Sequence, residues 1–255
     1  MRRPRNWWLA ASLMPAVACS KSADKAPEAP ATVEAPAPAG PQAIVTVIYQ
    51  PPTDTAAFEA YYRDTHLPLV SGNQQEIGFT KAELTRFTST LDGKAPTFYR
   101  QAELYFNSLE DAQRGMGTAG FKKVGDDLAN FATGGLLGLV AVETGDKGSA
   151  ACPALVTVIY DTPTDAGAFE SYYSATHVPL VGQGQPEIGF TRADLTKFES
   201  ALDGSAPPKY RQAELCFNSM DDLTKGIATP AFKAVGDDLG KFATGGLTAL
   251  IGEQQ

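Results

Sequence analysis

From residue 43 onward, short β-branched runs alternate with stretches in which apolar residues return every three or four positions, and the whole alternation occurs twice. AIVTVIY (43–49) and ALVTVIY (154–160) predict strands. Asp54 and Asp165 then stand where an N-cap belongs, ahead of an amphipathic helix carrying Phe58, Tyr61 and Tyr62, or Phe169, Tyr172 and Tyr173. Pro68 and Pro179 predict the end of that helix. EIGFTKAELTRF and EIGFTRADLTKF read as second strands, LDG as a turn, and YRQAELYF and YRQAELCF as third strands. Ser108 and Ser219 predict the caps of a further helix, interrupted at Gly115 and Gly226 and resumed through Phe121, Val124, Leu128 and Phe131. GGLLGLVAV and GGLTALIG close each copy with a fourth strand.

Residues 43–144 align with 154–255 at a constant offset of 111, and roughly sixty of the 102 positions are identical. The chain is therefore an internal duplication of two domain-sized copies, joined by a linker over 145–153. The order β-α-β-β-α-β in each copy predicts an α+β fold of two ferredoxin-like repeats, each an antiparallel sheet with both helices on one face. The bare face of one sheet needs a cover, and the second copy supplies it. The expectation is an intramolecular barrel, a single-chain pseudo-dimer.

The first forty residues follow neither period. Arg2, Arg3 and Arg5 precede an apolar run from Trp7 to Val17 and a small-residue site before Cys19, which predicts a signal peptide over 1–18. Cys19 in that place resembles the lipidated cysteine of bacterial lipoproteins, with plain secretion as the alternative. The Ala/Pro-rich stretch that follows, through residue 42, predicts an extended tether. Together these predict an outer-membrane lipoprotein facing the periplasm of a Gram-negative cell, held to the membrane by its lipid anchor alone. Without the leader's three arginines, 18 basic residues face 29 acidic ones. That charge repels phosphate backbones and argues against a nucleic-acid partner.

The chain has only two histidines, His66 and His177, and both sit in one repeated phrase, FEAYYRDTHLPL and FESYYSATHVPL. F-x-x-Y-Y-x-x-T-H-x-P-L after a first strand resembles the EthD domain, a branch of the dimeric α/β-barrel superfamily, over nearly all of 43–253. The resemblance implies a pocket for a small hydrophobic or aromatic molecule. Its relatives include cofactor-free monooxygenases, cyclases, lactone isomerases and decarboxylases, so it also implies oxidoreductase, lyase or isomerase-type chemistry without a cofactor. Some relatives bind heme, which leaves a non-catalytic carrier of heme or of another hydrophobic ligand as the alternative; no C-x-x-C-H attachment motif is present.

Two roles for the histidines stand at this stage. At the end of a helix an imidazole can cap free carbonyls; facing a pocket it can act as general acid or base. One histidine per copy, without an adjacent Cys/His/Asp cluster, makes a poor metal site. Alternation along the third strand sets Tyr99, Gln101, Glu103 and Tyr105, and likewise Tyr210, Gln212, Glu214 and Cys216, toward the barrel. There they would line a cavity with Tyr61, Tyr62, Tyr172 and Tyr173, or satisfy one another across the two sheets. Asp126-Asp127 and Asp237-Asp238 read as a solvated helix face. Cys152 and Cys216 occur only in the second copy, at the start of its first strand and the end of its third. Those strands are neighbours in the expected fold, which predicts a structural disulfide.

Overall fold

The computed structural model describes residues 41–145 and 151–255. The expected leader, Cys19 and all but the last two residues of the tether lie outside them, as does the middle of the linker.

The first copy runs β1 (Ala43–Tyr49), α1 (Thr55–Tyr61), a π turn (Tyr62–His66), α2 (Leu67–Gly72), α3 (Gln74–Ile77), β2 (Lys81–Thr90) and β3 (Arg100–Phe106). It continues with α4 (Leu109–Met116), α5 (Ala119–Asp127), a 3₁₀ turn (Leu128–Asn130) and β4 (Leu136–Glu143). The second copy repeats this as β5 (Ala154–Tyr160), α6 (Ala166–Tyr172), a π turn (Tyr173–His177), α7 (Val178–Ile188) and β6 (Arg192–Ala201). It closes with β7 (Arg211–Phe217), α8 (Met220–Ile227), α9 (Pro230–Leu239) and β8 (Leu247–Gln254).

The eight strands form one closed antiparallel barrel in the order β1-β3-β2-β8-β5-β7-β6-β4. The copies do more than face each other, because they are hydrogen-bonded edge to edge, β2 to β8 and β4 to β6. Each of those seams carries a register shift, the local extra twist that lets a sheet close on itself. Inside the barrel one core is built from both copies, with Ile44, Ile48, Phe87 and Leu139 against Ile159, Phe198 and Leu250. A separate apolar layer on each copy packs its helices on the outside of the sheet.

Two expectations fail at the same place. Helical structure does not end at Pro68 or Pro179: it continues, with a break at Asn73, to Ile77 in the first copy and unbroken to Ile188 in the second, and the second strands begin at Lys81 and Arg192 instead of at Glu76 and Glu187. The widened turn before the proline explains the first. Leu67 N–H reaches back five residues to the Tyr62 carbonyl, and the proline's missing donor falls where that turn has already broken the regular ladder. Gly78 and Gly189, left-handed at φ 84° and 81°, stop the helix instead. Glu76 is held helical from outside, its carboxylate accepting the backbone N–H of Gly120 at 2.9 Å.

Cys152 and Cys216 are joined by a disulfide with a Cα separation of 4.8 Å. The bond ties the lead-in of β5 to the end of β7, in antiparallel register where Leu155 faces Cys216.

Candidate functional site

The π turn fixes where each histidine points. One extra residue per turn rotates His66 off the solvent face of its helix and under the end of α5, where it is 4% exposed. Its Nδ1 lies 2.9 Å from Asp127 Oδ2. The other oxygen of that carboxylate accepts from Tyr61 Oη at 2.8 Å and from Asn130 Nδ2 at 3.0 Å. The second copy repeats the arrangement, with His177 Nδ1 at 2.9 Å from Asp238 Oδ2, Tyr172 Oη at 2.8 Å from Oδ1, and Lys241 Nζ at 3.1 Å from that same oxygen.

Charge states follow from this geometry. Burial pushes His66 and His177 below the usual imidazole range, and the neighbouring carboxylates only partly offset it. Burial acts to raise Asp127 and Asp238, but the hydrogen bonds from histidine, tyrosine and, respectively, Asn130 or Lys241 outweigh it and hold both carboxyls below their ordinary value. At neutral pH each pair is thus a neutral imidazole beside a carboxylate. A carboxylate only accepts, so Nδ1 carries the proton and Nε2 carries the free lone pair.

Each histidine lines an apolar cavity between sheet and helices. The first, about 560 Å³, has Val45, Val47, Leu84, Ala102 and Leu104 as its floor and Phe121, Val124 and Leu128 opposite. Its equivalent beside His177 is about 180 Å³. Tyr62 and Tyr173 reach these cavities; both are fully buried, and burial pushes Tyr173 up to about 12, so its hydroxyl stays a donor. Tyr173 Oη has no hydrogen-bond partner among the described residues.

The remaining expected site residues lie elsewhere. Tyr61 and Tyr172 hold the aspartates instead of facing the cavity. Gln101, Glu103, Gln212 and Glu214 point into the barrel, on the opposite side of the sheet from the cavities. There Gln101 Nε2 donates to Glu214 Oε1 and Gln212 Nε2 to Glu103 Oε1, each at 3.1 Å. Thr157 and Tyr105 add hydroxyl donors to Glu214 and Glu103. The polar row is a bond between copies, and the cavity lies on the apolar row of the same strands. Tyr99, at the strand's entry, turns outward to Glu59, as does Arg100.

Asp127 and Asp238 are not a solvated face. The spacing that marks Val124, Leu128 and Phe131 as inward also includes position 127, three residues after the first and four before the last. Phe131 rests on the His66 ring at 4.6 Å, so the aspartate and the ring's apolar wall come from one helical stripe. Among the described residues no group of three or more His, Cys, Asp or Glu is placed to hold a metal.

The EthD domain matches residues 50–135 and 145–246 of the chain. An uncharacterized 11.0 kDa protein from the thcB-thcC intergenic region of Rhodococcus erythropolis is 37% identical over 100 residues, which is 39% of this chain and 93% of that protein. An EthD family protein of Bacillus halodurans is 28% identical, spanning 42% of this chain and 99% of its own, with a TM-score of 0.35. An anthrone oxidase-like protein shares 14% identity over 86% of this chain and 93% of its own at a TM-score of 0.56. At that identity the likeness concerns the fold.

Proposed function

The chain belongs to the EthD-domain family, and from that premise we propose that it binds a small apolar or aromatic molecule against His66 and removes a proton from it. The observation that carries this reading is the neutral His66, tied through Nδ1 to Asp127, in the wall of a cavity large enough for a ligand. In the step itself, a C–H or O–H bond of the substrate breaks, its proton bonds to Nε2, and the electron pair stays on the substrate. The resulting imidazolium is stabilised by the Asp127 carboxylate, and Tyr62 Oη is a donor for the oxygen on which the charge collects. Oxidoreductase, lyase and isomerase chemistry on such compounds can all begin this way.

The strand order β4-β1-β3-β2 within one copy and β8-β5-β7-β6 within the other supports reading each copy as a ferredoxin-like unit and the chain as an intramolecular dimer. The disulfide supports an oxidising compartment, and with it export by the leader; the anchor through Cys19 rests on the sequence around that cysteine.

Heme as a ligand has one observation in its favour, the free Nε2. Against it, among the described residues Arg63 is the only arginine or lysine lining the larger cavity, and it is already ion-paired with Asp64 at 2.6 Å, so the lining has little to offer a pair of propionates. The residues do not fit that group.

Anthrone, a three-ring compound with an acidic C–H between two rings, suits the cavity and tests the reading. The protein should accelerate exchange of that hydrogen for deuterium at pH 7, and His66→Gln should abolish the acceleration with the fold intact. Equal exchange by the His66→Gln variant would sink the proposal.

A further inference from the structure

The two cavities differ threefold in volume, and the residues along their walls differ in the wrong direction to explain it. Where the first has Leu67 and Ser71, the second has Val178 and Gly182. The smaller side chains surround the smaller space.

A further difference lies in a side chain that the copies exchange. Leu202, from the turn after β6, lines the first cavity, and Leu91, from the turn after β2, lines the second. Each is pinned to the other copy's last strand, Leu202 N–H to the Gly138 carbonyl at 3.0 Å and Leu91 N–H to the Ala249 carbonyl at 3.3 Å. Gly138 and Ala249 are equivalent positions, and here the copies differ. A Cβ at Gly138 would stand 2.4 Å from Leu202 Cδ1 and 2.8 Å from its Cγ. Leu202 therefore lies in the volume that the Ala249 methyl fills in the other copy. With that volume taken by a methyl, Leu91 is denied the seat that Leu202 has, and it lines the smaller cavity.

Resting on the reading of these cavities as ligand sites, we propose that they have different ligands, selected by size through the leucine of the opposite copy. The His66 cavity takes a polycyclic apolar molecule, and the His177 cavity takes nothing larger than a single ring. An apolar cavity of about 150 Å³ accommodates benzene, which puts 180 Å³ at one ring. Sites for larger organic ligands span about 300–1,000 Å³, and the first cavity is within that range.

The two histidines are themselves the reporters, because each lines one cavity and the chain has no others. In the full chain labelled with ¹⁵N-histidine, assigned with the His66→Gln variant, pyrene should shift the His66 ring resonances alone, while toluene should shift those of His177. Gly138→Ala should push Leu202 into the first cavity and weaken pyrene binding at least about tenfold, the equivalent of 1.4 kcal/mol. Toluene at His177 reports that this variant is folded. Ala249→Gly, which only removes a methyl, should make His177 respond to pyrene. Pyrene shifting both rings of the unaltered protein, or binding unchanged in both variants, overturns the size selection while leaving the ligand sites standing. A failure of both probes to shift either ring overturns the ligand sites and the selection together.

Discussion

Asp127 Oδ2 lies 2.9 Å from His66 Nδ1 across 61 residues of sequence, and His177 and Asp238 repeat that contact at the same distance and separation. The pair assigns the tautomer, and the tautomer assigns the free nitrogen.

That assignment is open to a direct spectroscopic check. With two histidines in the chain, ring ¹⁵N spectra contain two spin systems, and both should show the Nδ1–H form at pH 7 with midpoints below the ordinary value of about 6.5. Asp127→Asn removes the carboxylate that supports the charged ring, so the His66 midpoint should fall further while that of His177 stays put. A midpoint that rises in this variant would contradict the charge assignment.

Acid should destabilise the fold in two stages. Both imidazoles have folded-state values below their unfolded ones, so the unfolded chain binds more protons as pH falls through about 6.5, and stability declines from there. Asp127 and Asp238 are also depressed, so their stabilisation is complete above about pH 4 and is lost as pH falls further. Urea midpoints between pH 8 and pH 3 should trace both declines. His66→Gln with His177→Gln should flatten the upper one.

Breaking the polar bridge inside the barrel should cost stability rather than ligand binding. Gln101→Leu or Gln212→Leu withdraws a donor from a buried carboxylate of the other copy, at roughly 1–3 kcal/mol each. Equilibrium unfolding measures the loss, and the His66 response to pyrene should be preserved. Loss of that response with stability unchanged would put the glutamines at the ligand after all.

The Cys152–Cys216 bond spans 64 residues, and replacing both cysteines with serine should lower unfolding free energy by about 2–4 kcal/mol. Reductant should lower the stability of the unaltered protein but leave the double variant's unfolding curve where it was.

Much of this architecture is legible in the residue pattern because the duplication states each period twice. The β-branched runs, the N-caps at Asp54 and Ser108 and the alternation of YRQAELYF are local properties, and local sterics and burial decide them. The continuation past Pro68 is not local, since a π turn hides the proline's missing donor and Gly120, 44 residues on, holds Glu76 in its helix. The site was half legible. The histidines stand out by scarcity, whereas Asp127 hides in an acidic pair whose inward member only the period of Val124, Leu128 and Phe131 distinguishes. Of the two readings of the third strand's polar row, mutual pairing across the sheets is the one found, for a physical reason: carboxylates inside a closed barrel need donors at once, and the other copy's glutamines provide them. The room for a guest is on the apolar row.

The seams β2–β8 and β4–β6 join two copies that one gene encodes in tandem. In an assembly of identical subunits, every substitution is made in all subunits together, so a methyl that narrows one cavity narrows its twin. Covalent fusion removes that constraint. Gly138 and Ala249 can drift apart while the strand pairing around them stays matched, and one barrel can come to hold two sites with separate histories.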